Sequence, residues 1–188
     1  MKNTIKTICI FALGILLLFF SYISDDKISA FFRGSRSALF DAFFSIITNF
    51  GVVVVAMLVV PCLIFYKKNK KLVYLLLTTF FASFFIGFFS KLIVHRPRPI
   101  EPLTYIFLGL TDYSFPSMHS MVVFSLLPVL AKYLPKQKFF WIASAFLVSF
   151  SRIYLGFHFL SDIVFGALAG YFIGSYLLGL HEKGKLWK

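Results

Sequence analysis

Charged residues are scarce in this chain of 188 residues, at 14% of the total, and only seven residues are acidic. Hydrophobic residues make up 60% and aromatic residues 20%, and the mean hydropathy is +0.88. Ordinary soluble domains are roughly 45–50% apolar. The composition therefore excludes a soluble globular protein and predicts an integral membrane protein.

Cysteine is also rare. The two cysteines, Cys9 and Cys62, both lie within apolar runs, and their spacing is unlike that of zinc ligands or of a disulfide framework. We predict neither a zinc site nor a disulfide. Low-complexity linkers are missing too, and the length leaves no room for a soluble domain, so we expect one integral-membrane domain over residues 1–188.

Six long apolar runs account for most of the sequence. Each approaches the roughly 17–25 residues that cross the hydrocarbon core of a bilayer as a helix. The first run exceeds the roughly 7–15 apolar residues of a signal peptide, so we expect it to remain as an anchor. The sequence thus predicts an all-α, polytopic membrane protein with six transmembrane helices in a bundle. The runs cover residues 5–23, 44–65, 72–93, 117–134, 139–155 and 159–180.

The net charge of +12 would suit a nucleic-acid partner, but the distribution of the cations argues against one. If the amino terminus is cytoplasmic, the cytoplasmic segments carry twelve of the 19 Lys and Arg residues and a single acid, Glu182. This asymmetry follows the positive-inside rule, which predicts that both termini are cytoplasmic. The twelve cations are Lys2, Lys6, Lys67, Lys68, Lys70, Lys71, Lys132, Lys136, Lys138, Lys183, Lys185 and Lys188.

Three polar clusters fall on the opposite, non-cytoplasmic side, where ionisable groups beside a bilayer indicate a functional site. Lys91 and Arg98 form the first cluster. The prolines on either side of Arg98 lack amide donors and restrict the residues before them, so we expect the third helix to stop around His95. Snorkelling of Lys91, Arg96 and Arg98 at the interface is the alternative.

The second cluster, Pro116-Ser117-Met118-His119, opens the fourth helix. A proline in the first turn and a serine cap are sufficient to explain it as a helix start. The free amides and partial positive charge of a helix amino terminus also suit a phosphate. Ser117 would then add a hydroxyl, and His119 a proton donor.

The third cluster contains Ser151 and Arg152, followed by His158 and Asp162. The last two are four residues apart, so they share a helix face, where the carboxylate can fix the tautomer of the ring and leave the other nitrogen free to attack. A buried polar pair that only satisfies itself is the alternative.

A glycine stripe follows at Gly166, Gly170 and Gly174. This double Gly-x-x-x-Gly pattern allows another helix to approach closely. We expect it to serve packing within one chain, with dimerisation as the alternative.

The order and spacing of the three clusters resemble those of the type 2 phosphatidic acid phosphatase family, between about residues 91 and 162. The resemblance rests on Lys91 with Arg98-Pro99, on Pro-Ser-x-His, and on Ser-Arg followed by His158 and Asp162. The chain has Met118 where the family commonly has glycine.

The resemblance implies an enzyme that transfers a phosphoryl group through a phosphohistidine. His158 would be the nucleophile, Asp162 would orient it, and His119 would be the acid and then the base. It further implies that no metal or other cofactor is required, and the acids near the first two motifs, Glu101 and Asp112, are too few for a carboxylate metal cage. The phosphate would be bound by Lys91, Arg98, Ser117, Met118 and Arg152.

The predicted location favours a lipid whose phosphate lies at headgroup depth in a bacterial cytoplasmic membrane. Candidate substrates are undecaprenyl diphosphate, phosphatidylglycerol phosphate, phosphatidic acid and lipid A 1-phosphate. The segment from Asp25 to Phe43 either lies in the interface and helps admit the lipid or is a plain connector. A phosphotransferase with the same residues is an alternative, and a transporter of phosphate-like anions is a weaker one because the cations collect on one side. The sequence does not indicate the oligomeric state.

Overall fold

The computed structural model describes residues 2–99 and 113–186, with side chains from residue 12 onward, and no strand occurs in that part of the chain. The all-α prediction is therefore confirmed. Each apolar run corresponds to one helix or to one series of consecutive helices. The helices are α1 (Lys2–Gly34), α2 (Ala38–Ile47), α3 (Phe50–Val54), α4 (Val60–Tyr66), α5 (Lys70–Val94), α6 (Met118–Tyr133), α7 (Lys138–Tyr154) and α8 (Leu160–Glu182).

The second apolar run is bent. A π-helical segment, Val55–Val59, joins α3 to α4, and the direction changes by 47° between α2 and the Phe50–Tyr66 stretch. Thr48 ends α2, and the side chain of Asn49 caps α3 by accepting a hydrogen bond from the amide of Val52 at 3.2 Å. The break therefore lies at Thr48 and Asn49, inside a run that the sequence predicts as one span.

Two helices in the described part of the chain, α5 and α8, are long and apolar enough to cross a membrane, and the bent pair adds a third if it is one span. At 25 residues and 1.5 Å per residue, α5 is about 37 Å long, which exceeds the roughly 30 Å hydrocarbon core. The prediction of six transmembrane helices is thus reproduced in part, and the full count remains a prediction.

The first helix is longer than its apolar run. It continues to Gly34, so the segment from Asp25 to Phe43 is largely helical and not a plain connector, and its place in the interface stays a prediction. Its first part belongs to α1, and its last part belongs to the short helix α2. Asp25 consequently lies within a helix, where it is buried.

The core lies among α3 to α7. Its fully buried members include Leu75 and Leu76 of α5 and Leu126 and Leu130 of α6. A smaller aromatic cluster packs Phe44 of α2 against Tyr154 at the end of α7. The first core packs α5, α6 and α7 together, and the second joins α2 to the end of α7 that carries Arg152.

The glycine stripe of α8 packs against α6 of the same chain, as predicted. A Cβ atom on Gly166 would lie 2.7 Å from the carbonyl oxygen of Ser117, and one on Gly170 would collide with the backbone of Met121. Only glycine therefore permits this approach, which brings the start of α8 to the start of α6.

Candidate active site

His158 lies in the turn between α7 and α8, and Asp162 in the first turn of α8. Both side chains are buried. Nδ1 of His158 lies 3.6 Å from Oδ2 of Asp162, and the same oxygen accepts a hydrogen bond from the amide of Phe159 at 2.9 Å. The carboxylate thus faces Nδ1, and the opposite ring nitrogen, Nε2, points away from it.

Gly156 explains how the chain turns back at this point. Its φ of +74° lies in the left-handed region, which glycine adopts without the steric cost that other residues carry. The amides of Phe157 and His158 then both donate to the carbonyl of Arg152, at 3.0 and 3.3 Å. The turn consequently places His158 next to Arg152.

Arg98 and Arg152 approach Phe157, the residue before His158, from different elements. Nη1 of Arg98 donates to the Phe157 carbonyl at 2.6 Å, while the Arg152 guanidinium lies 4.4 Å from the centre of the Phe157 ring. Nη1 of Arg152 also donates to Oγ1 of Thr48 at 2.8 Å. Two cations are thereby held close to the candidate nucleophile.

Lys91 lies near the end of α5 and is buried. Its Nζ donates to the carbonyl of Tyr113. The helix ends at Val94, and His95 caps it in a left-handed conformation with φ of 51°, so the prediction that it stops around His95 is confirmed. His95 itself is exposed, and its ring packs edge-on against that of Tyr113, with the ring centroids 4.5 Å apart.

The second motif starts α6, with Ser117 as the cap. Its hydroxyl oxygen accepts a hydrogen bond from the amide of Ser120 at 3.4 Å, and its own amide donates to the carbonyl of Asp162 at 3.1 Å. The side chain of Met118 is directed toward Gly87 of α5, because a Cβ atom there would lie 3.3 Å from Met118 Cγ. The departure from glycine at Met118 is therefore accommodated between two helices.

His119 lies in the first turn of α6 with one ring nitrogen available. The ring packs edge-on against Phe50 with centroids 5.1 Å apart, and the backbone of Thr48 makes a hydrogen bond with it. Nε2 is buried and has no hydrogen-bond partner within the described part of the chain. A buried polar atom without a partner is costly, which makes Nε2 a candidate for contact with a ligand.

The electrostatic surroundings of His158 favour the neutral imidazole. His158 lies outside the membrane-spanning helices, and burial holds its pKa well below the usual range, helped by the charges of Arg98, Lys91 and Arg152 and by His119. The unprotonated ring is the form in which histidine can act as a nucleophile. The structure therefore gathers around His158 the cations and the second histidine that the sequence predicted for one site.

Residues 71–185 match the PAP2 superfamily. This chain belongs to that family. The predicted resemblance is thereby confirmed.

Two curated relatives match this PAP2 member over part of their length. An undecaprenyl-diphosphatase of Sulfolobus acidocaldarius is 31% identical over 109 residues, which cover 55% of this chain and 52% of the relative. Phosphatidylglycerophosphatase B of Bacillus subtilis is 36% identical over 107 residues, covering 50% of this chain and 51% of the relative. The matched region spans about half the length of these relatives.

Solved structures of the same type resemble the whole fold. A PAP2-type phosphatidylglycerolphosphate phosphatase from Bacillus subtilis superposes with a TM-score of 0.74 at 23% identity, covering 96% of this chain and 98% of that one. LpxE of Aquifex aeolicus gives a TM-score of 0.68 at 25% identity, covering 82% and 94%. This PAP2 member therefore shares its arrangement of helices with both solved structures.

Sequence reasoning missed three residues that the structure places in the candidate site: Thr48, Arg96 and Asp25. Thr48 contacts Arg152 from the bend between α2 and α3, which no sequence signal predicted. Arg96, which we considered for snorkelling at the interface, is instead paired with Asp25 and Asp162. An acid at the end of the first apolar run was the available signal for Asp25. Glu101 and Asp112 lie outside the described residues.

Proposed function

We propose that this protein is a membrane lipid phosphatase that hydrolyses a lipid phosphomonoester or diphosphate through a phosphohistidine on His158. The observation that carries the proposal is the burial of His158 against Asp162, with the charges of Lys91, Arg98 and Arg152 acting on it. Phosphoryl transfer requires an in-line nucleophile, charge stabilisation on the phosphoryl oxygens and a proton for the leaving oxygen. Each requirement has a candidate side chain at this end of the bundle.

Binding of the phosphate is assigned to Lys91, Arg98 and Arg152. Arg98 and Arg152 contact Phe157, the residue before His158, and the charge of Lys91 also acts on His158. The hydroxyl of Ser117 and the amide of Met118 at the start of α6 add donors where the helix dipole favours an anion. Cations that are already held by protein contacts require little reorganisation when the phosphate arrives.

The reaction would proceed in two displacements. Nε2 of His158 attacks phosphorus, the bond from phosphorus to the leaving oxygen breaks, and His119 gives that oxygen a proton. His119 then removes a proton from water, which attacks the phosphohistidine, so that the phosphorus–nitrogen bond breaks and inorganic phosphate leaves. Asp162, whose Oδ2 lies 3.6 Å from Nδ1, would accept a hydrogen bond from Nδ1 once the ring is positively charged and would stabilise that charge.

The proposed mechanism uses no metal, because three cations would supply the charge that a metal ion supplies in other phosphoryl-transfer sites. Among the side chains that the structure describes, in residues 12–99 and 113–186, no three His, Cys, Asp or Glu residues lie together as metal ligands. We therefore expect a chelator to leave activity largely intact.

The substrate class is inferred from the setting of the site. The relatives named as an undecaprenyl-diphosphatase and a phosphatidylglycerophosphatase support a lipid with a diphosphate or a phosphomonoester, and phosphatidic acid and lipid A 1-phosphate remain candidates. Residues 1–188 would form one six-span domain in the cytoplasmic membrane. Its termini would be cytoplasmic and its site would open on the other side.

The deciding experiment is phosphate release by the purified protein in detergent, with each of the four candidate lipids, in the presence and absence of a chelator. We expect release from at least one lipid by the wild type and none by His158→Ala. Transfer of the phosphoryl group to another lipid without release of inorganic phosphate would indicate the phosphotransferase instead. Equal rates for the wild type and His158→Ala, or loss of activity with the chelator that a divalent ion restores, would contradict the proposal.

A further inference from the structure

Arg96 bridges two buried carboxylates next to the candidate site. Its Nη1 donates to Oδ1 of Asp162 at 2.7 Å, and its Nη2 donates to Oδ2 of Asp25 at 2.8 Å. Asp162 is fully buried, and Asp25 is 3% exposed. Buried carboxylates are stable as anions only when a cation and hydrogen bonds compensate their charge. One guanidinium does this for both.

Ser161 completes the network and ties it to α1. Its amide donates to Oδ1 of Asp25 at 2.9 Å, and its hydroxyl donates to Oδ2 of Asp25 at 2.5 Å. Nη1 of Arg96 also donates to the Ser161 hydroxyl oxygen at 2.7 Å. An acid beside the first turn of a helix satisfies free amides there. Asp25 therefore anchors both the start of α8 and Arg96.

The two oxygens of Asp162 have separate contacts. Oδ1 is held by Arg96, whereas Oδ2 accepts the amide of Phe159 and faces His158. The carboxylate plane is thus fixed from both sides. Oδ2 is the atom of Asp162 that faces Nδ1 of His158, 3.6 Å away, so a shift of the carboxylate would change its contact with the candidate nucleophile.

Aromatic rings hold the guanidinium in this place. Arg96 lies 4.1 Å from the centre of the Phe159 ring and 5.7 Å from that of Tyr22, and its carbonyl accepts the amide of Ser114 at 2.8 Å. A planar guanidinium can stack on a ring while donating to two acceptors, and a lysine ammonium cannot reproduce that geometry. Lysine at this position would therefore keep the charge but lose part of this geometry.

We propose that Arg96 is a positioning residue for the nucleophile, which fixes the carboxylate of Asp162 and through it the ring of His158, with Asp25 of α1 as its anchor. The inference rests on the proposed function, in which His158 attacks phosphorus. Arg96 has its charge paired with two carboxylates, those of Asp25 and Asp162. It acts on the rate of the chemical step and not on phosphate binding.

The test compares kcat and KM for Arg96→Met, Arg96→Lys and Asp25→Asn with those of the wild type on the lipid that the wild type hydrolyses. A small displacement of a reacting group can lower a rate about 100-fold, so for Arg96→Met we expect kcat to fall about 10- to 100-fold, with KM changed less than about threefold. Arg96→Lys keeps the charge and should be intermediate. Arg36→Met is the matched control, because Arg36 pairs with Asp41 in an exposed ion pair, and its kcat and KM should stay near wild type.

A double-mutant cycle separates positioning from a purely structural role. In an Asp162→Asn background, Arg96→Met should lower kcat by less than about threefold further, since residues that act as a unit are non-additive. The proposal would be overturned if the two substitutions lowered kcat independently, so that their fold-losses multiply, and if each loss were accompanied by a lower unfolding temperature. A raised KM with unchanged kcat would overturn it too, by showing that Arg96 binds the substrate. If Arg96→Met does not fold, the same criteria apply to Arg96→Lys and Asp25→Asn.

The wild type and His158→Ala distinguish failure of this inference from failure of the proposed function. An active wild type, an inactive His158→Ala and an unimpaired Arg96→Met would overturn the role of Arg96 alone. A wild type that hydrolyses none of the lipids, or a fully active His158→Ala, would overturn both.

Discussion

At the residue scale, the cations of the site are fixed by contacts with neutral protein groups. Arg98 donates to the carbonyl of Phe157, Lys91 to the carbonyl of Tyr113, and Arg152 to the hydroxyl of Thr48. None of these three acceptors carries a formal charge, so these contacts orient the cations without neutralising them. Arg96 is paired with the acids Asp25 and Asp162.

Replacement of Thr48 by Val should reduce catalysis without removing a side chain from the proposed reaction. Valine has a similar shape but cannot accept the hydrogen bond from Arg152, and a hydrogen bond to a charged group contributes about 1.5–3 kcal/mol. We expect kcat/KM to fall about tenfold or more and Thr48→Ser to restore most of it. Equal kcat/KM for Thr48→Val and the wild type would show that this contact does not position Arg152.

At the element scale, the close approach of α6 and α8 brings the second motif to the third. Ser117 caps α6 and donates its amide to Asp162 in the first turn of α8, and the glycines of α8 leave room for the α6 backbone. Gly-x-x-x-Gly stripes allow such approach in membranes, where packing replaces the hydrophobic driving force. The relative position of the proposed acid and nucleophile therefore depends on residues that carry no polar side chain.

Gly170→Ala should destabilise the protein, and Gly179→Ala on the same helix should not. A Cβ atom at Gly170 would collide with the backbone of Met121, whereas one at Gly179 meets nothing within 4 Å. Overpacking of this kind costs about 1–3 kcal/mol, which lowers the unfolding temperature by several degrees for a chain of this size. Thermal unfolding in detergent measures both variants, and equal unfolding temperatures would contradict the packing account.

Helix positions were predictable from the sequence where the length of an apolar run agrees with residues that start or end a helix. The prolines around Arg98 end α5 at Val94, and Ser117 starts α6, both as local chemistry dictates. The break at Thr48 was not predictable, because the run from 44 to 65 is continuously apolar and the cap at Asn49 is a weak signal. The ion pair between Asp25 and Arg96 joins residues 71 positions apart, and local sequence patterns carry no information about such contacts.

At the scale of the whole molecule, the candidate site and the lysine-rich segments lie at opposite ends of the helices. The site lies at the ends of α5 and α7 and the starts of α6 and α8. At the opposite end, Lys132 of α6 pairs with Glu182 of α8, and Phe65 of α4 contacts Tyr133 of α6. The lysine-rich segments therefore lie away from the proposed site, as the positive-inside rule requires of a site facing outward.

Accessibility of two single cysteines should report this orientation. In a background without Cys9 and Cys62, Ser35→Cys lies after α1 at the end that carries the site, and Asn69→Cys lies between α4 and α5. Both positions are exposed. We expect an impermeant thiol reagent added to intact spheroplasts to label residue 35 at once and residue 69 only after permeabilisation. The reverse pattern would place the site on the cytoplasmic side.

The most direct test of the central claim is chemical identification of the phosphorylated residue during turnover. The purified protein is mixed with a lipid phosphate labelled in its phosphoryl group, quenched rapidly in alkali, in which phosphohistidine is stable, and analysed by mass spectrometry. His119→Ala is included because loss of the proposed base should slow the second displacement and allow the intermediate to accumulate. We predict phosphate on His158, up to one group per chain, and none in His158→Ala. Hydrolysis that proceeds with the phosphoryl group on another residue, or at full rate in His158→Ala, would contradict the account.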